Sequence, residues 1–309
     1  VFGSVRSDEE PGTYTVRSEA DGRLLDLGPG RALAHPTASL RTVYVPEADL
    51  FLKFSLDVRI TNDIRRLWRH DLLALRRTDA AVVAASAGLR ARTGTNAAWL
   101  SDRGYRTAAF AFEELAVLVR DGLAGHVVPG ATPLLAAALA EGFDGSPVPH
   151  APDPLRWWEA YLRQVVPPVL DLFARGVVLE AHVQNTLVAV DRTGLPVQAL
   201  FRDAEGVKLM PATPRPKAWE RLVYCLVVNH LTEIAATLAA HHPQVAPALW
   251  PAARAVFLRH HAAHPLPEIP RLLAAPDLPG KTNLTLRWTH ADGASARYLP
   301  LPNPLRDEA

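Results

Sequence analysis

Cysteine is almost missing from this chain. Of its 309 residues only Cys225 carries a thiol, which excludes an internal disulfide and any zinc site built from several cysteines. The apolar neighbours Leu222, Val223, Leu226 and Val227 predict a buried, inert thiol rather than a nucleophile. An excess of either charge is missing as well: 33 basic residues stand against 32 acidic ones for a formal net charge of +1. With no long basic run, neither nucleic acid nor an anionic membrane surface is an expected partner, and a small molecule is. No linear apolar run approaches the roughly 18 to 20 residues of a membrane span, and no signal peptide precedes the first polar segment, which predicts a cytoplasmic protein. No initiator methionine opens the sequence, which predicts a start inside a longer parent or after processing. Nothing matches a Walker A loop, a dinucleotide-binding glycine fingerprint or a Gly-x-Ser-x-Gly elbow. Lysine is scarce too, with only Lys53, Lys208, Lys217 and Lys281.

What is present is polar chemistry crowded into apolar surroundings. The segment Glu180-Ala-His182-Val-Gln184-Asn185 is followed by Arg202-Asp203-Ala-Glu205-Gly206, and between them Thr186 to Asp191 and Leu195 to Phe201 read as strands joined by an Arg192-Thr193-Gly194 turn. Such a hairpin folds the second cluster beside the first and brings the oxygens of Glu180, Asn185, Asp203 and Glu205 toward one point, as a hard cation carrying phosphates requires. His182 reads either as a loop-fixing hydrogen-bonder or as a phosphate contact or general base. A second cluster, His35-Pro-Thr37-Ala-Ser39-Leu-Arg41-Thr42, offers hydroxyls and a guanidinium in a turn, suited to oxyanions or simply capped. The strand after it aligns Lys53, Ser55, Asp57 and Arg59, with Arg65 one turn into the next helix. Arg120, at a strand end, is either an anion contact or a surface residue. His260 and His264 have the spacing of a metal pair but no third ligand, so a solvated helix end explains them better.

Strict alternation from Leu50 to Thr61 predicts a strand, Thr61-Asn62-Asp63 then caps a helix over about 62–77, and Ala108 to Arg120 reads as a buried strand. Leu134 to Leu139 is a short helix, and Leu155 to Ala174 a helix bent or broken at Pro167-Pro168. Helices are predicted over about 218–240 and 247–261, and closing strands over 281–289 and 296–299. The Gly/Pro-rich stretch 141–154 places a boundary between a lobe 1–145 that holds nucleotide phosphates and a lobe 146–309 that carries the metal and catalytic loop. The fold class is α+β (mixed α/β): two lobes of antiparallel sheet and hairpins flanked by helices, with a nucleotide cleft between them.

These segments, in this order, resemble the IucA/IucC family of siderophore synthetases that work without a peptide-synthetase template. The resemblance rests on His35–Thr42, Lys53–Asn62 with Arg65, Glu180–Asn185 and Arg202–Gly206, more weakly on Lys281-Thr-Asn-Leu and Pro302-Asn-Pro304. It implies the fingers and palm of that fold and an ATP- and Mg2+-dependent ligase. A carboxylate such as citrate is adenylated with release of pyrophosphate, and an amine or hydroxyl then captures the acyl group. In the family's pattern Ser39, Arg41, Thr42 and Lys53 hold phosphates, and Thr61, Asn62 and Arg65 line the nucleotide and carboxylate pocket. Gln184 and Arg120 are further nucleotide contacts, His182 touches the reacting phosphate, and Glu180, Asn185 and Asp203 bind magnesium. His182, Arg65 and Lys53 are thus the expected catalytic residues, and a homodimer is compatible with the family. The chain departs from the pattern in two ways: the large N-terminal region with its His/Pro-rich motif is missing, and Ala38 stands where a second serine is common. A kinase-like phosphotransferase and a non-catalytic binder of nucleotide or siderophore precursor are the alternatives; no glycine-rich loop precedes Lys53, which disfavours the first.

Overall fold

In the computed structural model, residues 2–4, 15–20, 23–30, 32–60, 63–281 and 298–307 are described. The chain forms two units, one from the described residues within Val1–Ala80 and Leu100–His126, the other from those within Ala81–Trp99, Val127–Thr282 and Arg297–Ala309. The Gly/Pro-rich stretch 141–154 lies inside the second unit, and no division falls at residue 145. Residues 127–141 belong to the second unit because Thr132–Leu135 pairs antiparallel with Thr186–Val190, Leu135 facing Leu187.

The first unit is centred on a five-stranded antiparallel sheet ordered Asp102–Arg106, Val117–Asp121, Leu50–Phe54, Thr42–Val45, His35–Pro36. The alternation in Leu50–Phe54 is real, but both faces are covered. Leu52 and Phe54 pack with Ala34, Val43 and Val45, while Phe51 and Lys53 on the other face are also buried. The strand ends at Phe54 and a short pair, Arg59–Ile60 with Asp63–Ile64, follows. The helix expected over 62–77 is displaced to Arg69–Ser86. Its first residues are drawn into extended pairing: Arg65 N–H donates to the Val58 carbonyl, Leu56 N–H to the Arg65 carbonyl, and Leu67 N–H to Ser55 Oγ. A backbone group already bonded in this way is not available to a helical turn. Glu113 explains the start, since its Oε1 accepts from Arg69 N–H at 2.8 Å. The strand expected over 108–120 shrinks to Val117–Asp121, because the residues before it turn back on themselves, Leu115 N–H donating to the Ala111 carbonyl.

The second unit is built on the helix Pro154–Ala174, which continues unbroken through Pro167 and Pro168. Its entry is fixed by Asp153, whose carboxylate accepts from Arg156 N–H. Trp158, Tyr161 and Phe173 are fully buried, each worth about 1.5–3 kcal/mol or more of burial, which outweighs the two missing proline donors. Leu134–Leu135 is strand and the helix begins only at Ala136. The hairpin Thr186–Val190 with Pro196–Arg202 forms as expected, Thr186 opposite Phe201. Arg215–His241 is one continuous helical run, long and apolar enough to cross a membrane by length and composition. Its apolar side chains (Leu222, Val223, Leu226, Leu231, Leu238) are instead core of this unit. Ala246–Ala263 follows, and Asp277–Lys281 pairs with Tyr298–Pro302. Apart from Lys281, the strand expected over 281–289 lies outside the described residues, as do residues 282–297 in full.

Candidate functional site

The first cluster is a tight hairpin end. Thr37 N–H and Oγ1 both donate to the Thr42 carbonyl (3.2 and 3.1 Å), and Thr42 N–H returns to the Ser39 carbonyl at 3.1 Å. Register then decides which side chains meet. Thr42 lies opposite Lys53, and Lys53 opposite Leu118; two residues along, Phe51 lies opposite Arg120. Directly opposed residues share a face, so Thr42, Lys53 and Arg120 project from the same side of one sheet. All three are buried, Lys53 at 6% exposure. A lysine that deep on a sheet face is held there for chemistry or for a partner charge.

The arginines are differently engaged. Arg41 is buried and its Nη1 donates to the Arg65 carbonyl at 2.6 Å, while Phe54 N–H donates to the Arg41 carbonyl. Arg65 sits in extended chain rather than one turn into a helix, half-buried, its backbone bonded to Leu56 and Val58. Arg120 directs Nε and Nη2 at the Asp102 carboxylate (2.5 and 3.2 Å) in a pair with almost no exposure. Asp79 supports that pair by accepting from Asp102 N–H and Ser101 Oγ. Arg120 therefore has a structural task its position in the sequence did not reveal, and it is neither a surface strand end nor a freely presented anion contact. Thr61 and Asn62 lie outside the described residues.

The second cluster is a loop between the strand Val177–Val178 and the hairpin. His182 N–H donates to the Glu180 carbonyl (2.9 Å), Asn185 N–H to the His182 carbonyl (3.0 Å), and Thr186 Oγ1 to the same oxygen (3.1 Å). The next turn is tied to this loop. Arg202 N–H donates to the Asn185 carbonyl and Arg202 Nη2 to the Gln184 carbonyl, at 3.1 and 3.0 Å. Asp203 adopts a left-handed backbone (φ 85°) that swings Ala204–Gly206 back toward Glu180. Asn185 is buried, Gln184 exposed, and His182 and Glu180 intermediate. Burial holds the His182 imidazole below its ordinary value, against the pull of the Glu180 and Asp203 carboxylates, so the ring is neutral near pH 7. Its Nδ1 is buried and has no hydrogen-bond partner among the described residues.

Among the described residues no three His, Cys, Asp or Glu side chains are grouped to hold a metal by themselves. One carboxylate oxygen of Glu180 already accepts from Arg221 Nη2 at 2.9 Å. Glu180, Asn185 and Asp203 nevertheless offer hard oxygen donors on two adjoining loops. That suits magnesium, which takes one or two protein carboxylates and draws its other ligands from phosphates and water. The histidine-rich helix end has its own explanation: His264 Nε2 meets the Arg92 carbonyl (2.9 Å) and His261 Nδ1 accepts from Leu266 N–H (3.1 Å). Cys225 is buried, with its thiol pushed up to about 12 by burial. Asn303 is a structural residue, donating to the Leu272 and Ala275 carbonyls and accepting from Leu305 N–H. Two side chains that sequence reading missed approach the loop from the helix 215–241. They are Arg221 and His230, whose Nδ1 meets the Ala181 carbonyl at 2.8 Å. Neither belongs to a recognisable motif, and each is one polar residue among several in that helix, Arg221 next to Glu220 and His230 next to Asn229.

Comparison with known proteins finds matches over both parts of the chain. Residues 13–141 match the family model described as the IucA / IucC family, and residues 155–296 match one described as ferric iron reductase FhuF-like transporter. A single buried cysteine excludes a cysteine-held iron–sulphur centre in the second part. The L-2,3-diaminopropanoate–citrate ligase of Staphylococcus aureus is 31% identical over 94% of this chain and 57% of its own length. The ATP-bound aerobactin synthetase IucA of Klebsiella pneumoniae superposes with a TM-score of 0.75 at 22% identity, covering 92% of this chain and 57% of that one. The petrobactin biosynthesis protein AsbB of Bacillus anthracis gives 0.76 at 17% identity, over 91% and 55% of the two chains. The chain thus spans little more than half the length of these relatives.

Proposed function

The chain belongs to the IucA/IucC family, and from that premise we propose that it is the nucleotide-using part of an ATP-dependent ligase that joins a carboxylic acid to an amine or hydroxyl in siderophore assembly. The observation that carries this reading is the pairing of Thr42 with Lys53, a buried hydroxyl and a buried ammonium side by side on a sheet face beneath the His35–Thr42 hairpin. In the reaction, a carboxylate oxygen attacks the α-phosphorus of ATP, the bond to pyrophosphate breaks, and an acyl-adenylate remains. The nucleophile then attacks the acyl carbon and AMP leaves. Two anions must approach one another, so catalysis rests on positive charge and placement more than on a protein nucleophile. Lys53, Ser39, Arg41 and Thr42 are assigned to phosphate oxygens, with Thr61, Asn62 and Gln184 as further nucleotide contacts and Arg65 to the acid.

His182, neutral through burial, is assigned to the reacting phosphate as a hydrogen-bond donor. Magnesium bound by Glu180, Asn185 and Asp203 would supply charge neutralisation on the phosphates. Arg120 is assigned to Asp102 rather than to the nucleotide. Citrate or a related di- or tricarboxylate is the acid to test first, because the S. aureus relative is named for a citrate ligation. A homodimer is the assembly we propose. The deciding experiment incubates the protein with MgATP, citrate and a panel of diamines and identifies the nucleotide product. AMP with pyrophosphate is expected. ADP with a phosphorylated acceptor would make it a phosphotransferase, and ATP binding without turnover would make it a binding module.

A further inference from the structure

The helix Arg215–Val223 runs through a π-helical stretch, Tyr224–Leu231, into Thr232–His241. Nine positions separate Arg221 from His230. In an α-helix of 3.6 residues per turn, nine positions make about two and a half turns, and the two side chains would leave on opposite faces. Both nevertheless reach the same loop, Arg221 at the Glu180 carboxylate and His230 at the Ala181 carbonyl. The π-helical stretch begins after Arg221 and contains His230, and its wider i→i+5 turns absorb the residues that would otherwise carry one side chain to the far side.

Each contact is itself held in place. A carbonyl only accepts, so His230 carries its proton on Nδ1, and its Nε2 accepts from the Tyr161 hydroxyl at 2.5 Å. Arg221 Nη2 also donates to the Gly206 carbonyl at 3.3 Å. Gly206 matters for a further reason: a Cβ there would stand 2.2 Å from Glu180 Oε2. The Glu180 carboxylate is therefore gripped between a guanidinium and the bare face of a glycine. The backbone bonds from His182 and Asn185 pass that fixed position along the loop.

We propose that Arg221 and His230 are positioning residues, aimed at one loop from one helix by that π-helical stretch, so that Glu180, His182 and the Asp203–Gly206 turn meet substrate already in place. Only the kinetic part of its test rests on the ligase reading. Hydrogen exchange read by mass spectrometry on the full chain, followed for the peptide covering 180–186, needs no turnover. Arg221→Gln and His230→Leu should raise exchange there by about tenfold. Arg221→Lys and His230→Asn, which keep a donor in each place, should fall close to wild type. In pyrophosphate release the first two should lower kcat by roughly 10–100-fold with little change in KM for ATP, and the second two should recover most of it.

Unchanged exchange over 180–186 in folded Arg221→Gln overturns the proposal. So does a rise spread evenly over the second unit with a fall in melting temperature, which is loss of packing and not of placement. Should His230→Leu fail to fold, Tyr161→Phe tests the same arm by removing only the hydroxyl behind His230. If the wild-type protein releases no pyrophosphate with any acid, the ligase reading falls, and the exchange data still decide whether these residues place the loop.

Discussion

The two polar clusters are mounted in opposite ways. In the first unit Thr42, Lys53 and Arg120 stand on strands, so pairing register decides which of them adjoin, and Thr42 lies beside Lys53 because their strands are hydrogen-bonded neighbours. In the second unit they stand on a loop and a turn, and placement comes from side chains that reach in from elsewhere: Arg202, Arg221 and His230. A sheet-mounted group is hard to move without breaking the sheet. A loop-mounted group is moved by removing one clamp. Substitutions in the first cluster should therefore act through charge or through stability, and substitutions around the second through geometry.

Four measurements bear on that contrast. The largest effect is expected for Arg120→Ala, which leaves Asp102 buried without its partner and should cost about 3–5 kcal/mol in denaturant unfolding. Full stability with lost ATP affinity would return Arg120 to the nucleotide and blur the distinction. Lys53→Met should preserve the fold and lower the rate of pyrophosphate formation by about 10²–10³-fold; a change of less than threefold or so would remove Lys53 from the chemistry.

A third measurement uses pH. Burial holds His230 at about 4 against an ordinary 6.5. The unfolded chain therefore takes up this proton first as pH falls. Stability from His230 is complete above about 6.5 and is lost between there and about 4, at close to 1.4 kcal/mol per pH unit. His260, also held at about 4 by burial, follows the same course. Urea unfolding between pH 7 and pH 5 should fall less steeply for His230→Asn than for wild type, and parallel slopes would refute the buried neutral ring. The smallest effect is expected for Gly206→Ala, where a methyl group displaces Glu180. Turnover should fall by roughly tenfold with the melting temperature nearly unchanged, and wild-type turnover would show that Glu180 need not sit where Arg221 holds it.

Much of this was legible in the residues. The hairpin Thr186–Val190 with Pro196–Arg202 follows from two apolar runs and a Thr-Gly turn, and Leu50–Phe54 follows from alternation. The buried, unreactive thiol of Cys225 follows from its neighbours. What could not be read depended on partners distant in the chain. The helix start at Arg69 is set by Glu113, and the continuity of Pro154–Ala174 by the large apolar surface it buries. Arg120 looked like a strand end because Asp102, its counter-charge, lies on another strand. Arg221 and His230 carry no motif at all; they are recognised only when a helix some forty residues downstream of Glu180 is folded against its loop.

The sequence by itself determined the chemical inventory, the two polar clusters, most strand and helix identities, and the family, because these rest on local periodicity and on residue types at fixed spacing. Tertiary structure alone decided which charges are already satisfied, where the helices begin, and how Glu180 and His182 are held, because a long-range ion pair or clamp depends on distance in space and leaves no period along the chain.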